Sequence, residues 1–338
     1  MALETAPIIL VSPCSTPVRP AAAAGVEVIV HALARRLPGV THVLARPGSE
    51  LPAGVALIPV PRHERLADAL SEVVARQPAA ILCDHSGCPF PQGDALPRFF
   101  RVFHVAPQYV YCPAPSPRVG FVSAFLRDAF SRHAGRSYAS CPLLRNGVDA
   151  AALARPQERA ADGDIVYIGR LNRLKGVDMA AEACARRGRA LVVYGGHGAT
   201  APADIVFNDL AYLAELRARY PDVVRYEGPL DDVARKVAAL SRAACLLIPS
   251  REPESCSLVA LEGVALGIPV VAFAHGGLLE YVAPRLHLAP YRGRHDDDVH
   301  ALGAALDQAL RAPPRPAALP PELHARAMAR RYQAWLTP

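Results

Sequence analysis

Short apolar runs alternate with amphipathic segments along the chain, and this alternation restricts the fold more than any other feature of the sequence. Residues 7–12 (PIILVS) predict a strand, and residues 25–37 (GVEVIVHALARRL) predict an amphipathic helix. Strands and helices in alternation are typical of parallel, doubly wound α/β sheets. Further strands are predicted at residues 41–45, 79–83, 102–104, 120–122, 165–169, 190–195 and 223–228, and further helices at 65–76, 124–133, 177–187, 209–220 and 231–243.

Length and composition predict two such domains. The chain has 338 residues, of which 51% are hydrophobic, enough for two ordinary cores. A polar stretch at residues 146–162 reads as the linker, so we expect domains at 1–150 and 151–322. A final helix is predicted within residues 323–338, and it caps either the second domain or the first.

Charge and cysteine content argue against several classes of protein. The net charge is +6, carried by 35 Arg and only 2 Lys, with no long basic block, which argues against nucleic acid as a partner. No apolar run reaches the roughly 18 residues of a membrane span, and no signal peptide is recognisable, so we expect a cytoplasmic protein. The eight scattered cysteines predict free thiols, and Cys83 and Cys88 beside His85 are poor evidence for zinc.

Two glutamates eight residues apart, Glu254 and Glu262, dominate the segment 245–280. Residues 245–249 and 269–273 predict buried strands, with a loop and then a helix between them. Glu254 then lies on the loop at the carboxyl end of a strand, and Glu262 lies about two turns into the helix. The free N–H groups and dipole of a helix N-terminus favour a phosphate, and carboxylates suit sugar hydroxyls. The segment therefore predicts a nucleotide-sugar site.

This segment, EPESCSLVALEGVALGIPVVAF, resembles the E-x7-E segment of retaining glycosyltransferases of the GT-B fold, in family 4. The resemblance implies two Rossmann-like domains that face a central cleft, with the donor in the C-terminal domain and the acceptor in the N-terminal domain. It also implies that the last helix (ARRYQAWL) crosses back onto the first domain. Three other segments resemble the family in the same order: RNGVD at residues 145–149, DIVYIGRLNRLKG at residues 164–176, and the Gly-Gly-x-x-Glu of Gly276, Gly277 and Glu280.

The resemblance assigns roles to residues of the second domain. Arg170 and Lys175 would hold the diphosphate, Glu262 the ribose, and Glu254 the donor sugar. The family has Gly-Phe-Gly after the first glutamate where this chain has residues 255–257 (SCS), and the last serine either caps the helix or contacts the sugar. The expected donor-binding residues are Gly25, Gly169, Arg170, Lys175, Glu254, Ser255, Cys256, Ser257, Leu258, Val259 and Glu262.

The resemblance also singles out residues of the first domain. Ala24, Gly25 and Glu27 resemble the family's Gly-Gly-x-Glu loop, with alanine at the first position; Glu27 is equally explained as a first-turn helix glutamate. His104 falls where the family's histidine reaches the donor sugar and the reacting centre, which makes His104, Arg170, Lys175 and Glu254 the catalytic candidates. Glu27 and His85 are candidates on the acceptor side, and His197 is a further candidate.

No metal or cofactor is expected. No Asp-x-Asp metal motif is recognised, since residues 296–298 (DDD) read as a solvated charge run in a polar loop. Two cations beside the diphosphate stabilise the charge of the departing nucleotide without a metal. The resemblance implies retention by front-face substitution, with the leaving phosphate accepting the acceptor's proton, and a double displacement stays open.

The expected partners are therefore a nucleotide sugar, with a UDP-sugar favoured, and a small-molecule, glycan or lipid-linked acceptor. A cytoplasmic location includes the inner face of the membrane. Two alternatives stay open: a nucleotide-sugar 2-epimerase of the same fold, and a non-catalytic relative that binds nucleotide sugars.

Overall fold

The computed structural model describes residues 6–21, 25–149, 163–196, 210–230, 232–282, 286–312 and 319–337. The chain divides into two compact units, residues 1–149 with 321–338, and residues 150–320. Each unit contains a six-stranded sheet whose paired strands are parallel. The alternation of strands and helices in the sequence predicted this architecture, and the prediction is confirmed.

The first unit is wound around β1, a strand that is buried on all four residues and pairs with two neighbours. The order of its strands is β3-β2-β1-β4-β5-β6. The chain therefore builds outward on one side of β1 and returns to its other side at β4. The elements of this unit up to residue 134 are β1 (Ile8–Val11), α1 (Gly25–Arg36), β2 (Val40–Ala45), β3 (Ala56–Pro59), α2 (Leu66–Arg76), β4 (Ile81–Asp84), α3 (Pro91–Asp94), β5 (Phe99–Phe103), β6 (Val119–Phe121) and α4 (Ala124–Ala134).

The second unit repeats this winding around β7, with strand order β12-β11-β10-β7-β8-β9. Its strands β8, β10 and β11 are buried throughout, which is typical of strands covered by helices on both faces. The elements are β7 (Asp164–Ile168), α5 (Val177–Ala185), β8 (Leu191–Tyr194), α6 (Leu210–Arg219), β9 (Val224–Gly228), α7 (Val233–Ser241), β10 (Ala243–Ile248), α8 (Leu258–Ala265), β11 (Val270–Phe273), α9 (Leu279–Val282), β12 (Leu286–Ala289) and α10 (His295–Arg311).

The last helix, α11 (Ala325–Leu336), belongs to the first unit and packs against α1. Val148 pairs with His324 just before the helix begins, and Gly147 lies so close that a Cβ there would be 2.7 Å from the His324 carbonyl oxygen. This close contact explains why the RNGVD segment has glycine at position 147. The helix lies on the first unit, as the resemblance implies, and not on the second.

The sequence analysis missed two edge strands, the long helix α10 and the four-residue helices α3 and α9. The strands β3 and β12 lie at the edges of their sheets and are only partly buried, so their apolar patterns are weak. The prediction of a polar loop at residues 296–298 is wrong, because these aspartates form the first turn of α10. Acidic residues are stabilised in the first turn by the helix dipole, and Asp298 is buried and accepts a hydrogen bond from the Arg292 N–H at 2.7 Å.

All eight cysteines are free thiols, as the sequence predicts, and six of them are buried. Within the described residues, no helix is long and apolar enough to cross a membrane.

Candidate functional site

Lys175 and Glu254, two of the charged residues singled out in the second unit, meet at the carboxyl ends of β7 and β10. The winding of the sheet reverses between these two strands. In open α/β sheets, ligands bind outside the carboxyl ends of the strands at such a switch point. A 3-10 helix, Arg173–Lys175, follows β7, and the loop that carries Glu254 follows β10.

Lys175 and Glu254 form a half-buried ion pair at this switch point. The Lys175 ammonium donates to Glu254 Oε1 at 2.6 Å, and the Ser250 hydroxyl donates to the same oxygen at 2.7 Å. Burial alone would raise the pKa of the Glu254 carboxyl, but Lys175, the Ser250 hydrogen bond and the nearby Arg170 outweigh burial and lower this pKa below its usual value. Glu254 is therefore an anion, and a lysine ammonium has two further donors to offer a ligand.

A tight turn places Lys175 against the end of β10. The Asn172 side chain accepts a hydrogen bond from the Lys175 N–H at 3.0 Å. Gly176 has φ +66°, and a Cβ there would lie 2.0 Å from the Pro249 carbonyl oxygen. Gly169 is anchored to the sheet through its N–H, which donates to the Tyr194 carbonyl at 3.0 Å. The strand-Gly-Arg-loop-Lys-Gly segment thus has the shape that brings its lysine to Glu254.

The Gly-Gly-x-x-Glu segment fixes the backbone of Glu254. Gly276 has φ +78°, and a Cβ there would lie 2.6 Å from the Glu254 carbonyl oxygen. The Gly277 N–H donates to the same carbonyl at 2.7 Å, and the Glu280 N–H donates to the Gly277 carbonyl. Two of the motifs recognised in the sequence are therefore parts of one local structure.

A second ion pair, which the sequence analysis missed, joins the two loops of the site. The Arg251 guanidinium donates to both oxygens of Asp178, at 2.7 and 2.6 Å, and the Arg251 N–H donates to the Leu174 carbonyl at 2.8 Å. Such bidentate pairs hold their geometry well. The partners are 73 residues apart and carry no shared motif, so the sequence held no signal for the pair.

Helix α8 begins beside this cluster. The Ser257 hydroxyl accepts the Ala260 N–H at 3.4 Å, which confirms its predicted role as helix cap; contact with a sugar stays a prediction. The N–H groups of Leu258 and Val259, in the first turn, have no acceptor within the helix. Together with the dipole they favour an anion at this end of the helix. Ser255 and Cys256 precede the cap and are half-buried.

The second glutamate of the motif, Glu262, is also paired with a lysine. Its Oε1 accepts from the Lys236 ammonium on α7 at 2.5 Å. Both side chains are almost covered, with 7% of Glu262 and 12% of Lys236 exposed. The only two lysines in the chain therefore bind the two glutamates of the motif, and sequence analysis recognised only Lys175.

The two histidine candidates of the first unit lie together at the ends of β4 and β5. His85 Nδ1 and His104 Nε2 are 2.9 Å apart, and His85 Nε2 is 3.4 Å from the Cys83 sulfur. Tyr332 of α11 stacks on His85 with ring centroids 5.7 Å apart. Burial lowers the pKa of His85 well below its usual range and that of His104 to about 3, so both rings are neutral.

Glu27 lies in the first turn of α1 and is 1% exposed. Burial raises the pKa of its carboxyl to about 7, although a hydrogen bond from the Thr16 N–H at 3.2 Å acts in the other direction. Since His85 is also only 3% exposed, contact of either residue with an acceptor stays a prediction. Gly25 is the first residue of α1, whereas Ala24 and His197 lie outside the described residues.

A buried ion pair supports this end of the first sheet and was also missed. Arg101 on β5 lies 3.1 Å from Asp84 on β4, and their side chains are 2% and 0% exposed. Arg101 also donates to the Cys88 carbonyl at 2.7 Å, so it ties the loop after β4 to the sheet. Both residues lie just outside the predicted strands at 79–83 and 102–104, and neither pattern indicates that they pair.

In the described parts of both units, no three His, Cys, Asp or Glu side chains are grouped so that they could hold a metal ion.

The fold and the site define a chain of the GT-B class. The structure of sucrose-phosphate synthase from Thermosynechococcus elongatus matches this chain with a TM-score of 0.68 at 20% identity, over 98% of each chain. The Anabaena protein HepE, solved in complex with UDP-glucose, matches with a TM-score of 0.65 at 15% identity, over 96% of this chain and 94% of HepE. At these identities the likeness shows the fold alone.

The family follows from the sequence of the second unit. Residues 162–311 match the family model "Glycosyl transferases group 1", so this part of the chain belongs to that family. Glycogen synthase of Mycobacterium tuberculosis is 33% identical over 162 residues, which are 47% of this chain and 38% of the relative. The match thus spans well under half of that relative's length. The resemblance of this part of the chain to glycosyltransferases is confirmed, and retention of configuration stays a prediction.

Proposed function

We propose that the chain is a retaining glycosyltransferase that moves a sugar from a UDP-sugar to a hydroxyl of a small-molecule, glycan or lipid-linked acceptor. The observation that carries this proposal is that the two motif glutamates, Glu254 at the switch point and Glu262 on α8, are each bound to a lysine. The family match of residues 162–311 supports transferase chemistry. A neighbour of the same fold, HepE, was solved with UDP-glucose, which supports the choice of donor.

The diphosphate binds between Lys175, Arg170 and the first turn of α8 in this proposal. Glu254 uses one of the three donors of the Lys175 ammonium, which leaves two for phosphate oxygens. The N–H groups of Leu258 and Val259 add neutral donors at the positive end of the helix. As the bond between sugar and phosphate breaks, charge accumulates on the diphosphate, and donors already in place stabilise it by several kcal/mol.

The two carboxylates divide the hydroxyl groups of the donor between them. Glu262 accepts hydroxyls of the ribose, and Glu254 accepts hydroxyls of the transferred sugar. Glu254 suits this role because Lys175 and Ser250 keep it ionised, and an ionised acceptor forms stronger hydrogen bonds than a neutral one. His104 contacts the donor sugar, and as a neutral ring it both donates and accepts.

The leaving phosphate takes the proton of the acceptor hydroxyl, so substitution occurs on the face that the nucleotide leaves. Both motif glutamates are engaged by lysines, which leaves neither as an obvious covalent nucleophile. Two cations at the diphosphate supply the charge that a metal would otherwise provide. The proposed location is the cytoplasm, including the inner face of the membrane when the acceptor is lipid-linked.

The test is a transfer assay with UDP-glucose and a pool of acceptors, read by mass spectrometry and by the anomeric configuration of the product. We expect a product that retains the configuration of the donor, strongly reduced in K175A and unchanged in R225A, an exposed arginine of the same unit. Donor epimerised without an acceptor would favour the 2-epimerase. Nucleotide-sugar binding without turnover would favour the non-catalytic relative.

A further inference from the structure

Lys236 contacts Glu262 but belongs to none of the motifs that mark the site. It lies in the middle of α7, and its ammonium donates to Glu262 Oε1 across 26 residues of sequence. The chain otherwise uses arginine almost throughout, with 35 Arg against 2 Lys. An ammonium is a compact charge that fits one carboxylate oxygen, whereas the planar fork of arginine engages both oxygens at once.

That difference matters because of the second carboxylate oxygen. Glu262 Oε2 is buried and has no hydrogen-bond partner among the described residues. A buried acceptor without a partner is costly, and in native proteins such an atom calls for an explanation. Lysine at position 236 binds Oε1 and leaves Oε2 as an acceptor.

The position of Glu262 indicates which donor satisfies this oxygen. Glu262 lies on α8, whose first turn is capped by Ser257 and follows the Glu254 loop. In the proposed function the diphosphate lies at that first turn and the ribose lies beside Glu262. A ribose offers two neighbouring hydroxyl donors, and one of them would pair with Oε2.

We infer that Lys236 is a positioning residue of the nucleotide site: it holds Glu262 through Oε1 so that Oε2 accepts a ribose hydroxyl. Lys236 acts through the glutamate and does not itself touch the nucleotide. It also places a cation against a carboxylate that is only 7% exposed. This inference rests on the proposed function and adds a residue that discriminates ribose from deoxyribose.

The experiment measures the affinity of the full chain for UDP, 2′-deoxy-UDP and 3′-deoxy-UDP by calorimetry. The unaltered protein should bind at least one deoxy analogue about 10-fold more weakly than UDP, as the loss of one hydrogen bond to a charged group predicts. In K236M this ratio should fall to near 1, and UDP itself should bind about 10-fold more weakly. The control R235M alters the neighbouring exposed residue, whose side chain bonds to the Pro229 and Glu227 carbonyls, and should keep the ratio of the unaltered protein.

A double variant separates positioning from direct contact. If Lys236 acts only through Glu262, then K236M combined with E262A should bind UDP no more weakly than E262A alone. The inference would be overturned if the losses of UDP affinity in K236M and E262A were additive in the double variant. It would also be overturned if K236M kept the UDP to deoxy-UDP affinity ratio of the unaltered protein. If K236M does not fold, K236Q takes its place, because glutamine keeps a neutral donor to Oε1. We then expect a ratio of UDP to deoxy-UDP affinity between 1 and the ratio of the unaltered protein. An unchanged ratio in K236Q would also count against the inference. Absence of UDP binding by the unaltered protein would overturn the proposed function together with the inference, whereas UDP binding with an unchanged ratio overturns the inference alone.

Discussion

The two units share one winding, but they place side chains of opposite character at the carboxyl ends of their strands. In the second unit the ends of β7 and β10 hold the charged pair of Lys175 and Glu254, and α8, the helix that follows the Glu254 loop, carries a second charged pair, Glu262 with Lys236. In the first unit the ends of β4 and β5 hold neutral groups, the paired rings of His85 and His104. The difference lies in the side chains, since the strand orders of the two sheets correspond one to one.

Under the proposed function, this contrast suits one architecture to two kinds of ligand. Paired cations and anions with spare donors suit a charged, hydroxyl-rich ligand such as a nucleotide sugar. Neutral histidines and the nearly buried Glu27, with a pKa of about 7, create little fixed charge and suit proton exchange or neutral hydroxyls. The first unit nevertheless carries one fully buried charge pair, Asp84 with Arg101, which supports the sheet below the histidines.

The largest expected effect concerns that pair. R101M leaves Asp84 buried without a cation, and we expect the free energy of unfolding to fall by about 3 to 5 kcal/mol. Urea denaturation measures it, with R98M, an exposed arginine just before β5, as the control. Adding D84N to R101M should recover part of the loss. A loss below about 1 kcal/mol in R101M would mean that the pair contributes no more than a surface contact does.

The second prediction concerns pH and the first unit. Folding raises the pKa of Glu27 from 4.5 to about 7, so its contribution to stability is complete below pH 4.5 and is lost as the pH rises through 7. Over that pH interval, the difference in unfolding free energy between the unaltered protein and E27Q should change by about 3 kcal/mol. The measurement is the difference in unfolding free energy between the two proteins at pH 4.5 and pH 8. A difference that does not change with pH would contradict the buried, neutral Glu27.

The histidines of the same unit change stability with pH in the opposite direction. The pKa values of His85 and His104 are lowered on folding, so their contribution is complete above pH 6.5 and is lost as the pH falls. The comparison with E27Q therefore has to be made as a difference at each pH, in which the histidine contribution cancels.

The third prediction separates the two motif carboxylates. E262A should weaken the binding of free UDP about 10-fold, because Glu262 serves the nucleotide, whereas E254A should reduce kcat by a similar factor with little change in UDP affinity. Calorimetry with UDP and steady-state kinetics with UDP-glucose would rank the two variants in opposite order. Equal loss of UDP affinity in both variants would contradict the division of roles.

The smallest expected effect is that of a chelator. Because Arg170 and Lys175 supply positive charge at the proposed diphosphate site, transfer should be unchanged by EDTA. The measurement is the initial rate with and without EDTA. Complete loss of activity that magnesium or manganese restores would contradict metal-independent transfer.

Much of the fold followed from the sequence because its signals are local. The alternating apolar runs predicted both sheets, and a helix cap was one of the two roles expected for Ser257. The edge strands β3 and β12 and the acidic start of α10 were not predicted, since partial exposure weakens their patterns.

The contacts of the site depend on which strands become neighbours, and the sequence does not state that. Lys175 and Glu254 are 79 residues apart and meet because β7 pairs with β10. Lys236 carries no motif, and only the packing of α7 near α8 brings it to Glu262. For the same reason nothing in the sequence relates Arg101 to Asp84, which become neighbours when β4 pairs with β5.

The most direct test of the central claim compares one variant from each unit in the same binding measurement. Calorimetry with UDP on K175A and on H104A asks whether the nucleotide is held by the charged switch point of the second unit. We expect UDP affinity to fall at least 10-fold in K175A, since a charge-assisted contact is lost, and to stay unchanged in H104A. Equal affinities in K175A and the unaltered protein, or an equal loss in H104A, would contradict the account.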